Sequence, residues 1–412
     1  MRLAYVVTEA GCMDPTTGAS QHIAMGMREL GKRTELVPFV PPVPKPSGPA
    51  RVSAQGGASP LARLSKTGVW GAARDLRDVW RMVQQGRRLA REIDQAGCSV
   101  AYVRVQGLHP VSLFLRRRGV KVVLEANGLQ HVSRQSRFRS LLSGLYRPFE
   151  RYVYREADHV FFVGSYGQYW QLDTANWTEV ENGVEPNLFT ERQVPVGRAR
   201  PLRLVLLARL VGHHKAHLLP EAFALLDPDL RDQIELHLVG SGFEQLKEDL
   251  RPLVRVEDHG FVSRDAIGDL MQRMDCGVIP DCPPYGSQMK LLDYAASGCL
   301  VLAPDVIHLV NFFADKGVLF FNQGDAASLA DRIRALIAGE VPTDDMARAM
   351  QDHVRGAFTW DAIFERKWTC IAALAGQDAT AGGLTASRPD AADRLAWQGL
   401  ARDSAKTRNQ NN

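Results

Sequence analysis

At 412 residues the chain exceeds the size of one ordinary hydrophobic core, so two domains are expected. Hydrophobic residues at 45% and charged residues at 23% are the values of a folded globular protein. The formal net charge of +4 is small for this length and argues against a dedicated nucleic-acid binder, which needs a strong basic stripe.

The six cysteines, Cys12, Cys98, Cys276, Cys282, Cys299 and Cys370, show no CxxC spacing and no partnership with histidine that would read as a zinc site, so no metal is expected. Several lie in apolar runs, where a free thiol behaves as a small hydrophobe, and a reducing compartment fits that usage. The opening MRLAYVVTEAG is too short an apolar run for a signal peptide, and no stretch approaches the ~18 apolar residues of a membrane span. A cytoplasmic protein is the expectation, with contact to the inner face of the plasma membrane left open.

Strand-like runs alternate with helical patterns from end to end, which predicts an α/β fold with mostly parallel sheets. The first half offers strands at Leu3–Val7, Glu35–Val40, Val100–Val105, Val120–Ala126 and His159–Gly164. Helical patterns fall at Gln21–Leu30 and Ala73–Ala96, and the Pro-, Gly- and Ser-rich stretch Pro41–Pro60 reads as a long surface loop. Thr190–Pro201 is the natural boundary between halves. Beyond it come strands at Leu202–Ala208, Ile234–Val239, Cys276–Pro280, Cys299–Ala303 and Gly317–Phe321, with helices at Gly242–Leu250, Asp265–Met274 and Ala326–Ala338. An amphipathic helix, Trp360–Leu374, follows the second set of strands, and Gln377–Asn412 has the composition of a disordered tail, with a short helix possible at Leu395–Leu400.

Two places carry the chemistry. After the first strand, Thr16, Thr17, Gly18 and Ala19 lead into a helix near Ser20, where small residues and a helix N-terminus suit an anion. That loop lacks GxGxxG spacing, which disfavours a nicotinamide dehydrogenase. The stronger signal is SQMKLLDYAASG at Ser287–Gly298: Ser287 as N-cap, Leu291, Leu292 and Ala295 as an apolar face, Gly298 as terminator, then the buried-strand pattern CLVLAP. Its N–H groups and dipole suit a diphosphate, and Asp293 lies about 9 Å further along the helix, where ribose hydroxyls would fall. The alternative for Asp293 is a solvated helix position.

Here the chain resembles the family 4 glycosyltransferases of the GT-B fold. Lys290-Leu291-Leu292-Asp293-Tyr294-Ala295-Ala296-Ser297-Gly298 is similar to that family's K-L-x-E-Y/A-x-A-x-G helix, with Asp for Glu. Ala208-Arg209-Leu210 followed by Lys215 resembles its G-R-L…K-G element, with Ala216 where Gly is usual. Val239-Gly240-Ser241-Gly242, His259-Gly260-Phe261-Val262 and Asn182-Gly183-Val184 with Phe189 resemble three further elements in the same order. The likeness runs over roughly residues 1–375.

The resemblance implies two Rossmann-like domains facing each other across a cleft, residues 1–190 for the acceptor and 191–356 for the donor, with 357–375 crossing back to the first. It implies donor binding by Gly18, Gly240, Ser287, Met289, Lys290 and Asp293, and a leaving diphosphate neutralised by Arg209 and Lys215. Either cation alone could equally be part of a solvated basic loop. Acceptor-side candidates are Arg104 at a strand end beside Tyr102 and Gln106, then His109, Glu125 and Asn127; plain alternatives are a structural histidine and a loop cap. The family's E-x7-E pattern would set its first Glu at Tyr285, so that carboxylate is absent and sugar selectivity is in question.

The activity implied is retaining, metal-independent transfer from a nucleotide sugar, with no cofactor, to a glycan or lipid-linked acceptor in cell-surface polysaccharide or glycolipid synthesis. Rival readings are a nucleotide-sugar 2-epimerase on the same fold and a non-catalytic sugar-binding relative. Two arginine-rich stretches, Arg74–Arg91 and Arg134–Arg155, are the candidates for docking on anionic lipid, the second the better. Solvated helix faces are the alternative.

Overall fold

The computed structural model describes residues 1–14, 17–43, 68–105, 109–132, 142–189, 201–210 and 212–376. The proposed loop at Pro41–Pro60 falls largely outside the described residues. So do Thr16, Gln106, Arg134, Arg137 and Arg139, most of the boundary Thr190–Pro201, and the tail with Leu395–Leu400.

Twelve described strands form two six-stranded parallel sheets. The first contains β1 (Arg2–Val7), β2 (Glu35–Phe39), β3 (Val100–Val105), β4 (Lys121–Ala126), β5 (His159–Val163) and β6 (Trp177–Val180), in the order β2-β1-β3-β4-β5-β6. The second contains β7 (Leu202–Arg209), β8 (Ile234–Ser241), β9 (Arg255–Asp258), β10 (Cys276–Val278), β11 (Leu300–Pro304) and β12 (Val318–Phe321), ordered β12-β11-β10-β7-β8-β9. Each sheet reverses its strand order once, between β1 and β3 and between β7 and β10. Such reversals open a crevice at the carboxyl ends of the strands, and ligands of open α/β sheets sit there.

Helices cover both faces of both sheets, which is why the strands read as near-continuous apolar runs. In the second sheet Leu204, Leu206, Leu236 and Leu238 pack on one side and Val205, Val239 and Val301 on the other. In the first, Ala4, Val6, Val122 and Leu124 face one helical layer and Leu3, Tyr5, Tyr102 and Val123 the other.

The last described helix, Trp360–Leu374, follows the second sheet in sequence but packs on the first. Trp360, Phe364 and Ile371 join the layer that contains Tyr5, Tyr102 and Ile23. Burying aromatic side chains of this size contributes about 1.5–3 kcal/mol each, so this strap is anchored by its apolar face. Thr359 caps it by accepting from the Ala362 N–H, and Arg33 clamps its outer side through Asp361 at 2.8 Å and Glu365 at 2.9 Å.

Strands β6 and β9 were not expected from sequence. Both are edge strands of four residues, WTEV and RVED, half in solvent and without a sustained apolar run. The remaining expected strands lie within a residue or two of the observed ones.

Candidate functional site

Arg209 ends β7 at the crevice of the second sheet, opposite Ser241 on β8. Its side chain is exposed, and no ion pair or hydrogen bond holds it among the described residues. Gly240 makes this corner: its φ is +130°, and a Cβ there would stand 1.9 Å from the Ala208 carbonyl oxygen. Only glycine lets β8 turn so close to β7. Lys215, in the loop after β7, reaches across the strand-order reversal to the buried Asp281 beyond β10, with Nζ 2.5 Å from Oδ2. Asp281 also accepts from Gln323 Nε2 at 2.8 Å. Lys215 therefore shares its charge with a carboxylate, whereas Arg209 does not.

The loop from Asp281 leads into the helix Met289–Ala296. Ser287 was expected to cap that helix, and the structure differs. The cap position is Gln288, with no side-chain bond to the helix N–H groups. Ser287 instead donates to Glu181 and accepts from Asn182 Nδ2 at 2.5 Å. Its hydroxyl is drawn away by a buried carboxylate, a charge-assisted partner stronger than a backbone amide. The helix start is consequently left without a side-chain cap, and it opens beside a cavity of about 270 Å³ lined by Asn127, Tyr166, Asn182, Gly286, Ser287 and Gln288.

Lys290 lies in the first turn. Its ammonium nitrogen is enclosed and has no hydrogen-bond partner. The residue keeps some exposure, so it is the stem that meets solvent and the charged end that is shut in. Burial lowers this amine to about 8. An enclosed, unpartnered cation is costly unless an anion joins it.

Asp293, three residues on, is buried rather than solvated, and Arg264 grips both its oxygens at 2.7 Å each. Arg264 lies over the Phe189 ring at 5.9 Å. Burial pushes the Asp293 carboxyl up while Arg264 pulls it down. A ribose reaching Asp293 has to share it with this guanidinium.

Beneath the loop lies a buried network that sequence reasoning missed. His308 Nε2 is 2.5 Å from Glu181 Oε2, and its Nδ1 is 3.3 Å from Ser165 Oγ. Glu181 follows β6 and Ser165 follows β5, whereas Ser287 and His308 come after β10 and β11, so the network ties the loop to the first sheet. Backbone contacts do the same: Gly164 bridges Gly286, and Ser165 N–H donates to the Tyr285 carbonyl at 2.9 Å. Gly164 has φ +109°, and a Cβ would sit 2.2 Å from that carbonyl oxygen. Tyr285 turns its ring onto Tyr169, centroids 5.6 Å apart, and Tyr166 at 6.3 Å.

On the first-sheet side, Gly18 opens the helix Gly18–Gly31, with Thr17 capping it through the Ser20 N–H. A Cβ on Gly18 would lie 3.2 Å from Met289 Sδ, and Met289 packs into the first sheet's apolar layer. The two helix starts thus face each other.

The expected acceptor residues separate. Glu125 is fully buried and its oxygens are already taken: by His22 Nε2 at 3.1 Å, Lys367 Nζ at 2.7 Å, Arg104 Nη1 at 3.2 Å, Asn127 Nδ2 at 2.9 Å and the Tyr102 hydroxyl. These partners hold its carboxyl well below the usual range although burial opposes them. Arg104 is buried with it. Glu125 and Arg104 thus hold the strand ends and the final helix together, and neither presents itself to a ligand. His109 is also enclosed: its Nδ1 accepts from the Val111 N–H at 3.2 Å, burial lowers the ring to about 4, and its Cε1 would lie 3.3 Å from a Cβ on Gly86. Of the four, only Asn127 lines the cavity.

The structure brings together Gly18, Met289, Ser287 and Asn127, with Lys290 on the turn beside them and Arg209, Lys215 and Gly240 at the reversal of the second sheet. Arg264, Glu181 and His308 went unseen because each finds its partner through the fold. Arg264 lies 29 residues from Asp293 and His308 127 from Glu181, at no periodic spacing.

Residues 201–339, which span β7 to β12, match the model of the family described as glycosyl transferases group 1. No curated protein matches the chain in sequence. Among solved structures, sucrose-phosphate synthase from Thermosynechococcus elongatus is similar with a TM-score of 0.68 at 16% identity, over 91% of this chain and 99% of that one. A glycosyltransferase from Rickettsia africae gives 0.65 at 12% identity, over 91% and 98%. Anabaena Alr3699/HepE in complex with UDP and glucose gives 0.61 at 16%, over 90% and 100%. At these identities the likeness is one of fold, the GT-B arrangement of two Rossmann-like halves across a cleft.

Proposed function

We propose that the chain, whose residues 201–339 match the group 1 glycosyl transferases, is a glycosyltransferase that moves a sugar from a nucleoside-diphosphate donor to an acceptor with retention at the anomeric carbon. The observation that carries the reading is Lys290: an enclosed ammonium without a partner, in the first turn of a helix that lacks a side-chain cap, beside a polar cavity. A diphosphate supplies the missing counter-charge. Arg209, free at the end of β7, serves the same leaving group, and Lys215 joins when it lets go of Asp281.

In the proposed step the bond from the anomeric carbon to the diphosphate oxygen breaks and the acceptor oxygen bonds to the same face. The acceptor's proton passes to the departing phosphate oxygen. Cations and helix N–H groups aimed at charge that develops as the bond breaks are the largest source of acceleration for such chemistry. Arg209, Lys215, Lys290 and the helix start do here what a divalent ion would do, so transfer is proposed to be metal-independent. Following the donor and product anomeric protons by NMR tests this. The product keeps the donor configuration on this reading, and inversion overturns it.

A second reading is a nucleotide-sugar binder without turnover. It is favoured by the two ion pairs, Lys215–Asp281 and Arg264–Asp293, that occupy residues the reaction would use. Donor binding with no transfer or hydrolysis, in the presence of a panel of glycan and lipid-linked acceptors, would select it.

The proposed setting is cell-surface polysaccharide or glycolipid synthesis at the inner face of a membrane. No described helix is long and apolar enough to cross one. Leu76, Val79 and Trp80 form an exposed apolar stripe on the helix Gly68–Gln95, with Arg77 and Arg81 beside it. In the second basic stretch Leu145 and Tyr152 are exposed near Arg147 and Arg151. Both suit an anionic interface. Flotation with anionic but not neutral vesicles is the expected result, and equal partition with both would contradict it.

A further inference from the structure

Away from the cleft, the outer edge of the second sheet gathers two imidazoles and a carboxylate on one face. His237, in the middle of β8, stands in register with Glu257 on the edge strand β9. His259 follows two residues on, so its side chain falls on the same face as Glu257. Its N–H donates to the Leu238 carbonyl at 2.9 Å, which fixes that position.

The three side chains converge there. His237 Nδ1 is 2.9 Å from His259 Nε2 and 3.6 Å from Glu257 Oε2, and His259 Nε2 is 3.8 Å from Glu257 Oε1. Ligands bound at about 2.0–2.2 Å to one tetrahedral ion stand about 3.3–3.6 Å from each other, so the hydrogen-bonded imidazole nitrogens at 2.9 Å would part by a few tenths of an ångström to admit the ion between themselves and Glu257. The imidazole centroids are 5.2 Å apart, as two rings directed at one such ion would be.

The surroundings point the same way. The far nitrogen of His237, Nε2, is buried without a hydrogen-bond partner and faces Glu235 Oε2 at 3.6 Å. Arg203 at 3.3 Å and Arg255 at 3.1 Å hold Glu235 in place. At 3.6 Å Glu235 stands just outside hydrogen-bond reach of that nitrogen, and a small shift would make it the carboxylate that supports a metal-bound histidine from behind. His237 is 5% exposed, His259 19% and Glu257 50%, so an ion could enter from solvent and keep water as its fourth ligand.

We propose that His237, Glu257 and His259 form a binding site for a divalent transition-metal ion of the zinc class. Two imidazoles and one carboxylate are the donor set that such ions prefer over calcium or magnesium. Bound there, the ion would pin the four-residue edge strand to β8. It would also stiffen the turn in which the Gly260 carbonyl accepts from the Gly240 N–H at 2.7 Å, the glycine corner behind Arg209. The site takes no part in the transfer step and stands independently of it.

The test uses the full chain without an affinity tag, stripped by a chelator, desalted and titrated with Co²⁺ and then Zn²⁺. The expected result is one equivalent of Co²⁺ with the visible absorption of a tetrahedral site and no thiolate band, displacement by Zn²⁺, and a rise in Tm with either metal. His259→Ala and Glu257→Gln, both at partly exposed positions, should each weaken binding at least ~tenfold while keeping the circular dichroism of the parent. No binding by the parent chain overturns the proposal. Equal binding by His259→Ala does so too, because the metal then sits elsewhere.

Discussion

Gly18 and Met289 meet across the cleft, with a Cβ on Gly18 falling 3.2 Å from Met289 Sδ. One opens the first described α-helix and the other opens the helix proposed to face the donor diphosphate. Bulk at residue 18 should therefore act on ligand binding before it acts on folding. Gly18→Ala is expected to be tolerated, because a methionine thioether can give by a few tenths of an ångström. Gly18→Leu is expected to weaken nucleoside-diphosphate binding by roughly tenfold, about 1.4 kcal/mol, with little change in Tm. Isothermal titration on the parent and both variants checks this, and equal affinity in all three would refute it.

Lys290 predicts a pH dependence of known sign. Its ammonium is lowered to about 8 in the folded chain, whereas an exposed lysine titrates near 10.4. A bound anion needs the charged form, so affinity for a nucleoside diphosphate should fall as pH rises through 8, and Lys290→Met should abolish that fall. Stability without ligand moves the other way. Between about 8 and 10.4 the unfolded chain binds the extra proton, so this residue makes the folded state gain stability with rising pH. Lys290→Met should accordingly stabilise the free chain at pH 7 by about 1–3 kcal/mol, and the gain should shrink toward pH 10. Urea unfolding at the two pH values measures it.

Arg264 and Asp293 should behave as a unit. Arg264→Ala leaves a buried carboxylate without its partner and is expected to cost about 3 kcal/mol. Adding Asp293→Asn should recover most of that loss, giving a coupling that a double-mutant cycle reads directly. Additive losses would mean that the pair is not formed in solution.

Glu125 makes the acid side of the protein's stability. His22, Lys367, Arg104 and their neighbours hold its folded-state carboxyl well below the ordinary value, so the stability it contributes is present at neutral pH and is lost as pH falls below the unfolded value. Glu125→Gln is expected to cost about 3–5 kcal/mol at pH 7, because Lys367 is left buried and unpaired, and less at low pH. Denaturation of parent and variant at pH 7 and pH 4 compares the two. An equal difference at both would remove Glu125 as the titrating group.

The alternation of apolar runs with helical periodicity was enough to read most strands of both sheets, because parallel strands buried on two faces keep an unbroken apolar signal. It failed at β6 and β9, whose edge positions allow Thr178, Glu179, Glu257 and Asp258 in place of such runs. In the candidate site, Arg209, Lys215 and Lys290 stand out in the sequence because they sit at strand and helix ends in motif order. Their partnerships were not, since Asp281, Arg264 and the enclosure of Lys290 depend on elements that only the fold brings close. Glu125 shows the same limit from the other side. A carboxylate at a strand end looks like a ligand in sequence, and the lysine that claims it comes 242 residues later.

The most direct measurement is the affinity of the chain for a panel of nucleoside diphosphates and nucleotide sugars, repeated on Arg209→Ala and Lys290→Ala. Selective binding of one nucleotide, at least ~tenfold weaker in each variant, is the predicted result. Binding of none of them, or binding that survives both substitutions unchanged, would contradict the assignment of this cleft to a nucleotide-sugar donor.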